Sequence, residues 1–182
     1  MQPVRVTFES RIPRSAAELW RWSTSARGVQ AEMAPLLKMT FPDGMQRIPQ
    51  DQESLGRPLG NCRFLLFGLV PVDLSRLTFV EMEPGRRFVE QSPLRSMKLW
   101  RHERLIEPCD DGDGARVVDT LEFTPRAARG IVAWFVSRFF AHRHAMLRRQ
   151  FRERRSVDRS VAGAAGSEQR TDRVDMQPRE ST

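Results

Sequence analysis

Tyrosine is absent from the 182 residues, and lysine occurs only at Lys38 and Lys98. The first absence removes the phenol as a catalytic acid. The second makes nearly all of the positive charge arginine, although the formal net charge is +7. Such a charge invites a nucleic-acid or membrane partner. No recognition-helix motif accompanies it, so nucleic acid is not expected. Cysteine is scarce, and Cys62 and Cys109 give neither a metal spacing nor a disulfide framework, as suits a reducing compartment. No run approaches the roughly 20 apolar residues that span a bilayer. Residues 1–12 alternate polar and apolar where a secretory signal needs a continuous apolar stretch. A soluble, cytoplasmic protein is expected. There is no Gly-rich phosphate loop, no Ser or Cys nucleophile motif and no His/Cys/carboxylate metal spacing, so neither cofactor nor metal is expected.

What is present reads as one domain with a tail. Val4, Val6 and Phe8 alternate with Arg5, Thr7 and Glu9, the period of a half-buried strand. Ser15-Ala-Ala-Glu18 reads as a capping box that opens a short helix over 15–24. A second short helix is expected over 28–34, because Pro35 disfavours helical geometry in the residue before it. Residues 43–60, broken by proline and glycine, read as an extended loop. The apolar run from Cys62 to Val70 suggests a strand covered on both sides. Leu74–Met82 and Arg87–Ser92 form a pair around Glu83-Pro84-Gly85-Arg86, and Met97–Glu107 and Arg116–Phe123 a hairpin around Asp110-Asp111-Gly112-Asp113-Gly114. The period then changes. Val132, Phe135, Val136, Phe139, Met146 and Leu147 mark one face of a helix over 128–155, roughly 40 Å long. Residues 156–182 are polar and expected to be a disordered tail after a 1–155 domain. The fold class is therefore α+β: a curved antiparallel sheet of about seven strands, two short helices and one long C-terminal helix across the sheet. One helix cannot fill a strongly curved sheet, and the gap beneath it is the expected ligand cavity.

That order resembles the helix-grip superfamily that includes START lipid-transfer domains, the birch-pollen allergen fold and polyketide cyclases. The local text is closest to a bacterial SRPBCC branch. The resemblance is carried by Gly28-Val-Gln-Ala-Glu-Met-Ala-Pro35 to Lys38-Met-Thr-Phe-Pro42, Phe67-Gly-Leu-Val-Pro-Val-Asp73, Pro84-Gly-Arg-Arg-Phe-Val-Glu90 and Trp100-Arg-His-Glu-Arg104. Asp119, Pro125-Arg126 and Phe139-Phe-Ala-His-Arg-His-Ala-Met-Leu147 extend it. It covers about residues 3–152 and implies a fold that binds lipids, polyketides or other apolar molecules, with cyclisation in some members.

The segment with the most chemistry is Trp100 to Arg104. On a strand, Trp100, His102, Arg104 and Ile106 share one face, assigned inward because Arg101 and Glu103 on the other suit solvent. A turn near Asp111-Gly112 sets His102 opposite Leu121, Arg104 opposite Asp119 and Ile106 opposite Val117. The result is a polar group on an apolar wall, either a site for the polar end of a ligand or an ion pair that fixes register. The candidate ligand-binding set is Trp100, His102, Arg104, Asp119, Leu121, Phe135, Phe139 and His142. Trp20, Trp22, Trp134 and Phe140 are further aromatics for a pocket or plain core. If the protein is an enzyme, His102 acts as general base oriented by Asp119 or Glu122. His142 and His144 lie two residues apart and cannot pair on a metal. Arg148, Arg149, Arg152, Arg154 and Arg155 complement a helix C-terminus, or touch an anionic membrane surface through the first three. The expected function is binding or carriage of a hydrophobic small molecule, lipid or polyketide-like. The rivals are a cyclase/aromatase and an interaction module whose cavity is filled.

Overall fold

The computed structural model describes residues 2–42, 44–110, 112 and 114–171, with side chains as far as 152. The first strand, β1 (Val4–Ile12), leads into α1 (Ala16–Ser23) and α2 (Ala26–Met33). Ser15 caps α1 by accepting from the Glu18 amide at 3.2 Å, and Ser25 caps α2 by accepting from the Gly28 amide at 3.0 Å. Next come β2 (Leu37–Met39), a single 3-10 turn at Gln52–Ser54, β3 (Gly60–Leu66), β4 (Val70–Leu77), β5 (Phe79–Glu83) and β6 (Arg87–Glu90). The long hairpin β7 (Met97–Pro108) and β8 (Ala115–Pro125) precedes α3 (Arg129–Thr171).

The strands form two antiparallel sheets, β1-β8-β7-β6-β5 and β2-β3-β4. The expected single sheet of about seven strands is thus split, and the split lies at Thr78. There the expected strand Leu74–Met82 breaks into β4 and β5, because Ser92 Oγ accepts the Thr78 amide at 3.0 Å in place of a ladder partner. The long β7–β8 hairpin has the expected register: His102 faces Leu121, Arg104 faces Asp119 and Ile106 faces Val117, and its one irregularity lies away at Met97/Leu99. Asp111 and Asp113 of its turn lie outside the described residues.

The run Cys62–Val70 is not a strand covered on both faces. Leu66 and Val70 pair across a turn at 67–69, and Phe67, Leu69, Val70, Val72 and Leu74 are exposed. Continuous apolarity here marks an uncovered hairpin tip rather than a central strand. The two short helices and α3 close the concave side, where Leu19, Met33, Leu77, Phe88, Leu121, Phe123, Phe140, Leu147 and Phe151 share one core. Helix α3 runs on to Thr171, past the end at 155 set by the sequence pattern. The expected tail at 156–182 therefore falls partly on a helical backbone whose side chains are outside the described residues, and partly on 172–182, which lie outside them altogether. Among the described residues no helix is long and apolar enough to cross a membrane.

Candidate functional site

Strand alternation turns His102 and Arg104 of β7 and Asp119 of β8 inward, and all three are buried. Arg104 donates to both oxygens of Asp119, from Nε and Nη2 at 2.7 Å each. The rest of its guanidinium is consumed by residues that sequence reasoning did not single out. Nη1 donates to Ser23 Oγ at 3.1 Å and Glu32 Oε1 at 3.0 Å, and Nη2 to Glu32 Oε2 at 2.9 Å. Arg143 of α3 donates to the same Glu32 oxygen at 3.0 Å. Two helices and two strands are thus tied through one fully buried arginine.

Asp119 accepts further contacts. His102 Nε2 lies 3.0 Å from Oδ1, and His144 Nε2 lies 3.1 Å from Oδ2. Ser10 Oγ stands 2.8 Å from His144 Nδ1 and receives Arg148 Nη1 at 2.6 Å. An ionised Asp119 can only accept, so His144 Nε2–H donates to it, while Nδ1 meets the Ser10 hydroxyl. Burial opposes ionisation of both carboxyls, but the arginines outweigh it. Arg104 holds Asp119 well below the usual carboxylate range, and Arg104 with Arg143 holds Glu32 low. Burial also opposes a charged His102, yet Asp119 and then Glu90, whose Oε2 lies 3.7 Å from Nδ1, raise its pKa. His102 sits edge-on between the rings of Phe88 and Phe140, at 5.7 and 5.1 Å between centroids.

Beside this network lies a cavity of about 70 Å³ between α2, the sheets and α3. Its apolar wall includes Met33, Met39, Phe64, Phe79 and Phe139, and its polar edge is His102, Arg143 and Glu90. Arg143 Nε is buried with no hydrogen-bond partner among the described residues, although the guanidinium stacks over Phe140 at 4.9 Å.

Of the sequence candidates, Trp100, His102 and Phe139 line the cavity. Arg104 and Asp119 stand behind it, spent on the network, and Leu121 is closed into the core. Phe135 stacks on Phe139 at 6.2 Å, outside the lining. His142 turns away from it and meets the Ala34 carbonyl at 2.8 Å, docking α3 on the end of α2. Phe140 lines the cavity, whereas Trp20 and Trp22 are core and Trp134 is exposed. The carboxylate at His102 is Asp119; Glu122 lies opposite Arg101 in the hairpin register, on the other face. One ring nitrogen of His102 meets Asp119 at 3.0 Å, and the other faces Glu90 at 3.7 Å across the cavity edge. Arg148 is tied to Ser10, while Arg149 and Arg152 are exposed; Arg154 and Arg155 lie among the side chains not described. Among the described residues no His/Cys/Asp/Glu group is arranged to hold a metal.

Glu32, Arg143 and His144 each carried a signal. Glu32 sits between Val29 and Met33 on the apolar side of α2. Arg143 and His144 fall at helical spacing from Phe139 and Phe140 on the inward stripe of α3. A charged residue on an apolar stripe asks for a buried partner, but the stripe does not say which one.

Comparison with known proteins agrees with this architecture. The aromatase/cyclase Zhui of Streptomyces sp. R1128 superposes with a TM-score of 0.59 at 15% identity, over 84% of this chain and 95% of that one. A START superfamily protein of Mycobacterium smegmatis gives 0.56 at 12% identity, over 84% and 99%. The di-domain aromatase/cyclase of the steffimycin pathway gives 0.60 at 11% identity, over 85% of this chain and 52% of that chain. At such identities these likenesses establish the fold, the START-like helix grip. No curated protein is similar to this chain. The sequence pattern of one family matches residues 10–151, and the chain belongs to that family, the domain of unknown function DUF8410.

Proposed function

We propose that this protein binds a compact, neutral, apolar molecule bearing a carbonyl, held in the cavity between α3 and the sheets. The observation that carries this reading is Arg143. It lines the cavity, is buried, and keeps one N–H without a partner among the described residues, which is costly unless something supplies an acceptor. The charge count argues for a neutral ligand. Arg104 and Arg143 are already matched to Glu32 and Asp119, and Glu90 stands with His102 on the cavity's polar edge, so a carboxylate would bring an unmatched buried charge. Size argues for compactness. Ordinary ligand pockets run to roughly 300–1,000 Å³, far above the 70 Å³ present. A long acyl chain or a fused polycycle needs the wall to move. Met33 and Met39 are the adaptable parts of that wall, and Phe41 and Phe64 are among its partly exposed members.

The test begins with native mass spectrometry of the purified protein and mass analysis of any extracted molecule. Thermal shift with acetophenone and benzoate follows. Acetophenone should raise the melting temperature and benzoate should not. Arg143→Lys, which keeps a cation for Glu32 but loses the guanidinium fork, should weaken the ketone response. If neither probe binds and no molecule is extracted, the cavity is packing space and the interaction-module reading replaces this one.

A further inference from the structure

We propose that the β3–β4 hairpin is a membrane-docking element, seating its apolar tip in the interface of an anionic bilayer. Leu69 is 80% and Phe67 62% exposed, and Val70, Val72 and Leu74 follow them along β4. Ile131 and Trp134 are the other large exposed apolar side chains among the described residues. The two groups belong to adjoining parts of the fold. The Ser96 amide donates to Asp73 of β4 at 3.2 Å, and the Ser96 carbonyl accepts from Arg126, just before α3, at 3.0 Å.

Charge around the tip is mostly positive. Arg63 lies opposite Leu74, and Arg63, Arg76 and Arg95 line one shallow groove with it. Lys38 lies opposite Leu65 on the neighbouring strand, close to Gly68. None of these four cations has a carboxylate partner among the described residues, unlike the paired arginines Arg86, Arg87, Arg101 and Arg116. The one acid nearby, Asp73, is occupied by the Ser96 amide and hydroxyl and by the Leu74 amide. A basic collar behind an apolar, aromatic tip is the arrangement that an anionic lipid surface attracts and the hydrocarbon edge retains.

The backbone of the turn favours a lipid occupant over a protein one. Phe67 N–H donates to the Leu36 carbonyl at 2.9 Å, Gly68 to Leu65 at 3.2 Å and Leu69 to Leu66 at 3.1 Å. The tip therefore enters a poorly hydrated layer without stranding those amides. A protein partner adding a strand would want such donors open. The basic stretch of α3 is a weaker candidate, because Arg148 is held by Ser10. The inference does not depend on what occupies the cavity.

The test is co-sedimentation of the full chain with phosphatidylglycerol-containing vesicles and with pure phosphatidylcholine vesicles. The chain should bind the anionic vesicles, and added salt should release it. The variant Phe67→Asn/Leu69→Ser, in which asparagine suits the positive φ of 51° at position 67, should bind about tenfold or more weakly with an unchanged circular dichroism spectrum. Arg63→Gln/Arg76→Gln/Arg95→Gln should lose the preference for anionic lipid. Four results overturn the proposal: no binding to either vesicle, binding indifferent to the tip variant, binding lost instead in Arg148→Gln/Arg149→Gln/Arg152→Gln, or a dimer in solution that Leu69→Ser dissolves.

Discussion

Arg104 is 1% exposed and holds two carboxylates that are equally buried. Desolvating an arginine is tolerable only while all its charge-matched partners remain. Removing it by Arg104→Met strands Glu32 and Asp119 as neighbouring like charges, of which only Glu32 keeps a second arginine, Arg143. The expected loss is about 3–5 kcal/mol of unfolding free energy, read from urea midpoints. Arg86 is the control. It bridges Glu83 and Glu107 from the surface, and Arg86→Met should leave the midpoint nearly unchanged, because exposed pairs are screened and lose side-chain entropy on forming. Equal losses from the two substitutions would show that burial does not set the strength of the central network. His102, Arg104 and Asp119 were legible because strand alternation and hairpin register are local rules. Glu32 was not, because its partner is 72 positions away, and nothing in strand or helix periodicity connects two elements that distant.

At the scale of elements, the α1–α2 corner decides whether Glu32 reaches the network. A side chain on Gly28 would collide with the Trp22 carbonyl and come within 2.9 Å of Ser25 Oγ, the cap of α2. Gly28→Ala must therefore push α2 off α1, one turn before Glu32, and should cost about 1–3 kcal/mol. Gly130, in the first turn of α3, has open space where its Cβ would stand. Gly130→Ala should stabilise by about 0.5–1 kcal/mol, since alanine loses less backbone freedom in a helix. Opposite signs from the same chemical change, measured by thermal and urea unfolding, are the expected outcome; a neutral Gly28→Ala would mean that the corner yields freely. The elements themselves were read well where period and capping agreed, as at α1, β1 and β7–β8. The β3–β4 hairpin was misread because an unbroken apolar run has the same text whether both faces are covered or neither is. Position in the sheet settles that, and position follows from tertiary packing.

For the whole molecule, the buried network sets how stability follows pH. Burial opposes the charged form of His102, but Asp119 and Glu90 outweigh it and raise the pKa. Its stabilisation is therefore complete below the ordinary histidine value of about 6.5 and fades as pH climbs through the raised value. For Glu32 and Asp119 burial is likewise the opposing effect, and Arg104 and Arg143 lower both pKa values. Their contribution is complete above the ordinary carboxyl range near about 4 and fades as pH falls through the lowered values. Only between these limits are both contributions whole, so the urea midpoint should be highest in mildly acidic solution and decline toward alkaline pH. His102→Gln removes the group responsible for the alkaline decline. Its profile should be flatter above neutrality and should keep the acid limb, which belongs to the carboxylates. Arginine supplies nearly all the positive charge of this chain and does not titrate in the range, and His142 and His144 are present in parent and variant alike, so the difference between the two profiles reports His102. A parent midpoint that rises steadily through neutrality, or a His102→Gln profile parallel to the parent's, would show that His102 is not held charged between its two carboxylates.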